Sequence, residues 1–350
     1  TARNDWSSTL PKKNNSFFYP SASLSWVFSD FMRSIDHKLP SWITFAKLRV
    51  SAAQVGKDPA PYNLYNVRKY QFEMGNRKPI NNTIKLNANL KPEIKTSYEV
   101  GVDMKFLDNR LGFDFTYYYN TTKNQAMLVD ASSPWTQQWV NAGKINNTGV
   151  EFMLYGTPVK TRDFQFDITA NLAHNRSTVK ELADGVNRVY FAGDSNMPVK
   201  VGAVKGGKLG DIFANNLMQR DAQGRVIIGA DGLPMAATGD GNLEQYLLDH
   251  PIGNIQPDLL MSITPTFTYK GISLTAMFDM KFGGDIVSVS EGMATSVGTS
   301  ERTAYRGEYK TVNGVQDWYM VVPGVKADGS VNTQEVSAQK YYSTIGLYSS

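Results

Sequence analysis

The stretch from Ser97 to Asn120 limits the fold most tightly, because its side chains change character at every step. Tyr98, Val100, Val102, Met104 and Phe106 alternate with Glu99, Gly101, Asp103 and Lys105. After the link Leu107-Asp-Asn-Arg110, Leu111, Phe113, Phe115, Tyr117 and Tyr119 alternate with Gly112, Asp114, Thr116 and Asn120, and Tyr118 alone breaks the pattern. A period of two puts successive side chains on opposite faces of an extended ribbon, so the spacing predicts a hairpin of two long strands. Soluble sandwiches and membrane barrels both use such hairpins. The aromatic positions favour a barrel: Tyr98 and Tyr117 to Tyr119 gather away from the link and Phe106 sits beside it, as on strands whose aromatics mark the two membrane interfaces. About ten residues per strand also suit a tilted crossing of the hydrocarbon core.

The pattern recurs along the chain. Pro20 to Phe28 and Trp42 to Ala53 read as strands joined by a polar connector, Ser29 to Pro40, that holds a short helical turn. Val150 to Val159 and Phe164 to His174 form a hairpin about Lys160-Thr-Arg-Asp163, and Pro257 to Tyr269 and Ile272 to Phe282 form another about Lys270-Gly271. Eight strands result, separated by long insertions at about 54–96, 121–148, 175–256 and 283–350. The third is rich in glycine with short β-runs such as Arg225-Val-Ile-Ile228, and the fourth reads as loop. Short and long connections alternate, as in barrels with tight periplasmic turns on one rim and long extracellular loops on the other. The three clearest short turns therefore belong to the periplasmic rim.

Composition removes several alternatives. Nowhere do eighteen apolar residues run together, which excludes a membrane-spanning helix. A mean hydropathy of −0.34 still allows a barrel, half of whose residues face a polar interior. The absence of cysteine excludes a disulfide scaffold and a thiolate metal site. The net charge of +4 is scattered rather than clustered, so nothing points to nucleic acid. The first residues carry no basic and apolar leader, and loop-like sequence at both ends suggests an excerpt of a longer polypeptide.

Several motifs in one order resemble the SusC/RagA family of TonB-dependent outer-membrane transporters of Bacteroidetes. They are Phe18-Tyr-Pro-Ser-Ala-Ser-Leu-Ser-Trp26, Lys47-Leu-Arg-Val-Ser51, Asn89-Leu-Lys-Pro-Glu93 leading into Tyr98-Glu-Val-Gly-Val-Asp103, Asn109-Arg-Leu111 and Tyr117-Tyr-Tyr-Asn120. The order continues with Asn141-Ala-Gly143, Asn147-Thr-Gly-Val-Glu151, Gly253-Asn254, Pro257, Tyr269-Lys-Gly271 and Phe282-Gly-Gly-Asp285. The resemblance implies an all-β fold in which residues 1–350 are part of one antiparallel transmembrane β-barrel of about 22 strands with a plugged lumen. It also implies TonB-driven import of glycan or peptide oligomers and a SusD-like surface lipoprotein as partner, and it admits a dimer of that pair. The family's plug, TonB box, early strands and closing strands have no counterpart in these residues. No cofactor is implied.

Chemistry-bearing residues are sparse. His37, His174 and His250 lack the spacing of metal ligands. His174, beside Asn175 and Ser177, is the most enzyme-like cluster, since a hydrolase needs a base next to a nucleophile. Glu99, Asp103, Asp114 and Asp167 fall at inward positions, where a water-filled or plug-facing lumen accounts for them without catalysis. Asp221-Ala-Gln-Gly224 and Ala230-Asp-Gly232 read as tight turns, since they lack the alternating oxygen ligands of a calcium loop. Trp135 and Trp139, flanking Gln137 and Gln138 in an expected external loop, are the candidate substrate contacts, their flat faces suited to sugar rings or a peptide. No catalytic or metal residue is expected. A soluble β-rich glycan-binding module remains the alternative, and it requires the apolar faces to be buried between two sheets.

Overall fold

A computed structural model describes residues 1–37, 39–66, 69–80, 83–192 and 198–346. Residue 38 of the polar connector and residues 67–68, 81–82, 193–197 and 347–350 of the expected insertions lie outside the described residues. The chain divides into two compact units: Thr1–Val189 with Val204–Leu209 and Gln256–Gly284, and Tyr190–Ala203 with Gly210–Ile255 and Asp285–Ser350.

The first unit is built on a ten-stranded antiparallel sheet whose strands lie side by side in chain order. They are β1 (Ala2–Trp6), β2 (Ser16–Val27), β3 (Ile43–Lys57), β4 (Glu93–Phe106), β5 (Leu111–Lys123), β6 (Lys144–Lys160), β7 (Phe164–Glu181), β8 (Leu259–Tyr269), β9 (Ile272–Thr275) and β10 (Phe278–Phe282). The last two are one strand in a continuous register against β8, with Thr275 opposite Thr266 and Phe278 opposite Ile263. Between them Pro265 has no N–H to give, and only the Ala276 N–H donates across, to the Pro265 carbonyl at 3.2 Å. The eight expected strands are present, and β1 is an addition to them. The sheet is open, with β1 at one edge and β9 and β10 at the other.

Register sorts the side chains into two faces. Trp26, Leu48, Val102, Phe115, Phe152, Leu172, Met261 and Met280 stand in one row across the sheet. One residue along, on the other face, run Ser25, Arg49, Gly101, Thr116 and Glu151. The apolar face is not covered: Val100 is 44% exposed and Phe278 57%, and Phe113 and Ile168 are half-buried. Among the described residues no second sheet lies on it, so the two-layer packing of a soluble sandwich is not what this unit adopts. Aromatic rings collect towards the tight-turn rim, where Trp42, Phe106, Phe113 and Phe152 form a chain of contacts at 5.7, 6.0 and 5.9 Å. Tyr98 and Tyr119 face each other towards the opposite rim.

The connections sort by rim. On one lie the turns 107–110, 161–163 and 270–271, together with the link 28–42, which holds helix α1 (Phe28–Ser34). Phe28, read from the sequence as the end of a strand, instead opens α1, and its ring meets Trp26 edge-on at 5.3 Å. Lys270 and Gly271 both take positive φ, 46° and 87°, as a two-residue hairpin requires. Helped by the Thr44 hydroxyl accepting the Asp108 N–H at 3.0 Å, Leu107, Asp108 and Asn109 hold positive φ in succession. The other rim carries the insertions. There β6 and β7 run 17 and 18 residues, beyond the roughly ten that a bilayer needs. Their excess, from Lys144 to Thr148 and from Arg176 to Glu181, lies at this rim and is mostly polar on both faces.

The second unit is organised by buried side chains. Ile228, Leu233, Val322 and Val336 form one core cluster, and Met320, Ala338 and Tyr342 another. The stretch 283–350, which reads as loop in the sequence, holds helix α3 (Val289–Ser296), three strands (Glu308–Val312, Val315–Val321, Glu335–Ser337) and helix α4 (Ala338–Ile345); α2 (Leu243–Asp249) precedes them in chain order. Arg220 bridges Val226, Ile228 bridges Pro234 and Val325 bridges Val331, each across a tight turn. The carboxylates of Asp221, Asp231 and Asp328 accept the N–H two residues on, from Gln223, Leu233 and Ser330, at 3.0, 3.1 and 2.9 Å. The aspartates at 221 and 231 therefore close turns, as their sequence indicates.

Candidate functional site

The polar face of the sheet is a charged wall built by register. Asp103 and Asp114 stand directly opposite each other on β4 and β5. Two like charges so placed repel, and β3 supplies a cation to each: Lys47 lies 3.2 Å from Asp103, and Arg49 grips Asp114 with two parallel bonds of 2.7 and 2.6 Å. This matching answers the acid–base reading of these carboxylates, since each is tied to its own cation in the folded chain. Asp167 accepts from the Thr157 hydroxyl at 2.6 Å and the Gln165 amide at 2.7 Å.

Glycines give the long polar side chains room to lie flat. A Cβ on Gly101 would stand 2.8 Å from the Arg49 guanidinium and 3.2 Å from the Thr116 hydroxyl. Gly112 lies beneath the Tyr155 ring and Gly149 beneath the Tyr118 ring, each too close for a side chain. Further along the same face, Glu151, Asn171, Ser262, Asp279 and Lys281 border a cavity of about 590 Å³. Both signs of charge line it, together with amide and hydroxyl groups.

The enzyme-like cluster comes apart under the same alternation. His174 pairs with Val150 in the apolar register, whereas Asn175 and Ser177 occupy the polar face or its continuation, opposite Gly149 and Asn147. The His174 ring contacts the Asp258 carbonyl, and the Ser177 hydroxyl contacts Asn147. No base meets a nucleophile in this group.

The two candidate tryptophans are separated. Trp139 lies on the short strand Gln137–Asn141, which pairs with Ala126–Asp130 and Ile84–Lys85. Its indole helps to line a cavity of about 500 Å³ at the insertion rim, bounded also by Lys57, Asp58, Pro61, Lys91 and Glu93. Trp135 sits in the turn before that strand, half-buried, its backbone N–H donating to the Ser132 carbonyl at 3.2 Å, and is not part of the cavity wall. Of the two tryptophans expected from the sequence as substrate contacts, the structure places one, Trp139, in a cavity wall. Lys57 and Glu93 are register partners, a pairing visible only once β3 and β4 are known to extend past the membrane-length alternation. Asp58 is held by the hydroxyls of Ser7 and Thr9, the second at 2.9 Å, and these bonds keep its carboxyl below the usual range. Asn141 clasps Lys91 by backbone on both sides, at 2.6 and 2.8 Å, and so fixes the cavity's edge.

Comparison with known proteins places these features. Residues 1–209 match the family model described as TonB dependent receptor-like, beta-barrel. The chain is similar to TonB-dependent receptor P3 of Formosa agariphila, 25% identical over 82% of this chain and 30% of that protein. It is similar also to TonB-dependent receptor SusC of Bacteroides thetaiotaomicron, 27% identical over 87% of this chain and 32% of that protein. Among solved structures, the RagAB peptide importer in its closed-closed state superposes with a TM-score of 0.67 at 20% identity, over 86% of this chain and 33% of that one. The chain thus spans about a third of the length of the curated relatives it matches.

Proposed function

Because this chain belongs to the TonB-dependent receptor-like β-barrel family, and so to the outer membrane, we propose that it is part of the barrel subunit of a nutrient importer. It takes up glycan or peptide oligomers with energy delivered through TonB, and a SusD-like surface lipoprotein closes over its insertions, which are extracellular. The observation that carries this reading is the two-faced sheet: an uncovered apolar face with aromatic ends, a charged inner face, tight turns on one rim and long insertions on the other. Strand faces of that kind fit hydrocarbon outside and a hydrated or plugged lumen inside. The RagAB structural neighbour is described as a peptide importer, which supports the peptide class, and the glycan class rests on the resemblance to the SusC/RagA family.

In this reading Trp139 contacts the captured oligomer within the rim cavity, its indole forming a flat wall between Lys57, Lys91 and Glu93. Trp135 supports the turn that carries it. The test is growth of a strain lacking the gene on defined oligosaccharides or peptides as the limiting nutrient. Loss of growth on one class, restored by the intact gene and only weakly by Trp139→Ala, is expected. Undiminished growth of the deletion strain on every oligomer would contradict import.

A further inference from the structure

Next to the insertions, the outward face of β4 to β7 turns from apolar to basic, and we propose that it holds a phosphate-bearing lipid headgroup of the outer leaflet, gripped chiefly by Arg176. The site rests on the insertions being extracellular, as proposed above, and not on what is imported. On β7 the outward positions Phe164, Phe166, Ile168, Ala170 and Leu172 are apolar. That run has about the length, roughly ten residues, that a tilted strand needs to cross hydrocarbon. The row Val100, Tyr117, Val150 and His174 closes it, and the next row towards the insertions is Tyr98, Tyr119, Thr148 and Arg176. Two tyrosines side by side mark a membrane interface, so Arg176 stands where acyl chains give way to headgroups.

The charges of this face do not balance. Beyond the Arg176 row come Thr96, Thr121, Asn146 and Thr178, and then Ile94, Lys123, Lys144 and Glu181. Lys123 and Lys144 are direct cross-strand partners, a placement that repels unless an anion intervenes. Glu181 is the only carboxylate in these rows, and it lies 3.7 Å from Lys144. Lys123 and Arg176 are both exposed and meet no anion among the described residues. Hydroxyls accompany the guanidinium: Thr148 is directly opposite Arg176, and Tyr119 is opposite Thr148 on its other side. The Tyr119 oxygen accepts from the Asn146 amide at 2.6 Å, which leaves its own proton to donate. Neighbouring strands lie about 4.8 Å apart, so these three donors span roughly 10 Å, a width that long side chains can close around one phosphate. The planar fork of a guanidinium matches phosphate oxygens in pairs.

Two observations favour a lipid over a soluble anion. The first is position: the cations stand directly beyond an uncovered apolar run, so a ligand with acyl chains below and a phosphate above meets both surfaces at once, whereas free phosphate meets only one. The second is asymmetry. At the tight-turn rim the outward positions of β4 to β6 are Met104, Phe106, Leu111, Phe113 and Leu154, none of them charged. The cations are confined to one end of the strands, and so to one leaflet.

The test uses the complete protein in detergent, titrated with monophosphoryl lipid A and followed by native mass spectrometry. A bound lipid is expected, weakened about tenfold by Arg176→Gln and about fivefold by Lys123→Gln. Lys95→Gln removes a cation at the same rim but on the lumen face, opposite Val55 and Thr122, and should leave binding unchanged. Lipid A stripped of its phosphate should bind the intact protein as weakly as lipid A binds the Arg176→Gln, Lys123→Gln double variant. Inorganic phosphate in large excess should not displace the lipid. Heat-modifiable gel migration of each variant checks folding. No bound lipid, binding indifferent to both outward substitutions, an equal loss with Lys95→Gln, undiminished binding of the dephosphorylated lipid, or displacement by inorganic phosphate would overturn the proposal. Lipid binding with the expected dependence, in a protein whose deletion leaves cell growth on every oligomer intact, would uphold the site while refuting import.

Discussion

In the ten-stranded sheet, large apolar side chains such as Val100, Phe115 and Phe278 stand uncovered by protein, while on the reverse face Asp103 and Asp114 are each matched by a cation of β3. In the second unit large apolar side chains are enclosed by protein instead: Phe213 and Ile212 are each only 2% exposed, and the carboxylates of Asp221 and Asp328 bond backbone N–H groups in turns. The same amino acids thus serve two solvents. Where hydrocarbon replaces water outside, a strand needs no second layer, because the bilayer receives its apolar face and the neighbouring strands satisfy its backbone. Where water surrounds the chain, apolar side chains must cover one another, and a core must form from distant segments.

Substitutions can break this contrast. The largest effect is expected from Phe213→Ala, which removes an enclosed ring and should cost the second unit about 3–5 kcal/mol, read as earlier loss of protease resistance in that unit alone. Next comes Phe115→Arg, whose charge would face the bilayer and should cost about 2–4 kcal/mol near the midplane. Thr116→Arg, one residue along and on the lumen face, should cost less, about 1 kcal/mol, through loss of the bond its hydroxyl accepts from Arg49. The urea midpoint for refolding into lipid vesicles separates the two. Gly149→Val should cost about 1–3 kcal/mol by driving the Tyr118 ring off its seat and crowding the His174 carbonyl, 2.6 Å from the added Cβ, and Tyr118→Ala in the same chain should recover only the part due to the ring.

The smallest effect sharpens the comparison at the rim, where both faces of the strands meet water. The Asp58 carboxyl titrates below its ordinary value because the hydroxyls of Ser7 and Thr9 bond its charged form. Its folded value lies below its unfolded one, so its contribution is complete above the ordinary carboxylate range and is lost as pH falls through the lowered value. Protease protection of the 58–92 insertion should therefore decline in the acid range below about pH 4. The double variant Ser7→Ala, Thr9→Ala should lack that step.

How much of this is legible in the sequence follows from the same physics. Hairpins such as Ser97 to Asn120 can be read by eye because membrane and lumen impose opposite chemistry on alternate residues. The legibility fades where the constraint ends. From Lys144 to Thr148, β6 stands at the insertion rim with Asn146, Asn147 and Thr148 in succession, so the strand is longer than alternation indicates. β1 is hidden for a similar reason: Arg3, Asn4 and Asp5 are all polar, and its partners, Ser16 to Pro20 on β2, appear only in three dimensions. The second unit is the least legible, because Ile227 pairs with Val325 across a long sequence separation and no local pattern announces it. In the candidate site, Trp139 stands out as a tryptophan in a loop-like stretch, whereas Lys57 and Glu93 look like ordinary surface charges until the strands carrying them are paired.

The chain has no cysteine, so single cysteines can be introduced without background. Spin labels placed one at a time from Val100 to Met104 and from Phe113 to Tyr117, in the protein reconstituted into lipid, test the central claim most directly. The account predicts that Val100, Val102, Met104, Phe113, Phe115 and Tyr117 collide with dissolved oxygen and are shielded from a water-soluble nickel complex, with the residues between them showing the opposite preference. Equal shielding of Val100, Val102 and Phe115 from both reagents would mean that protein covers this face, and would contradict the account.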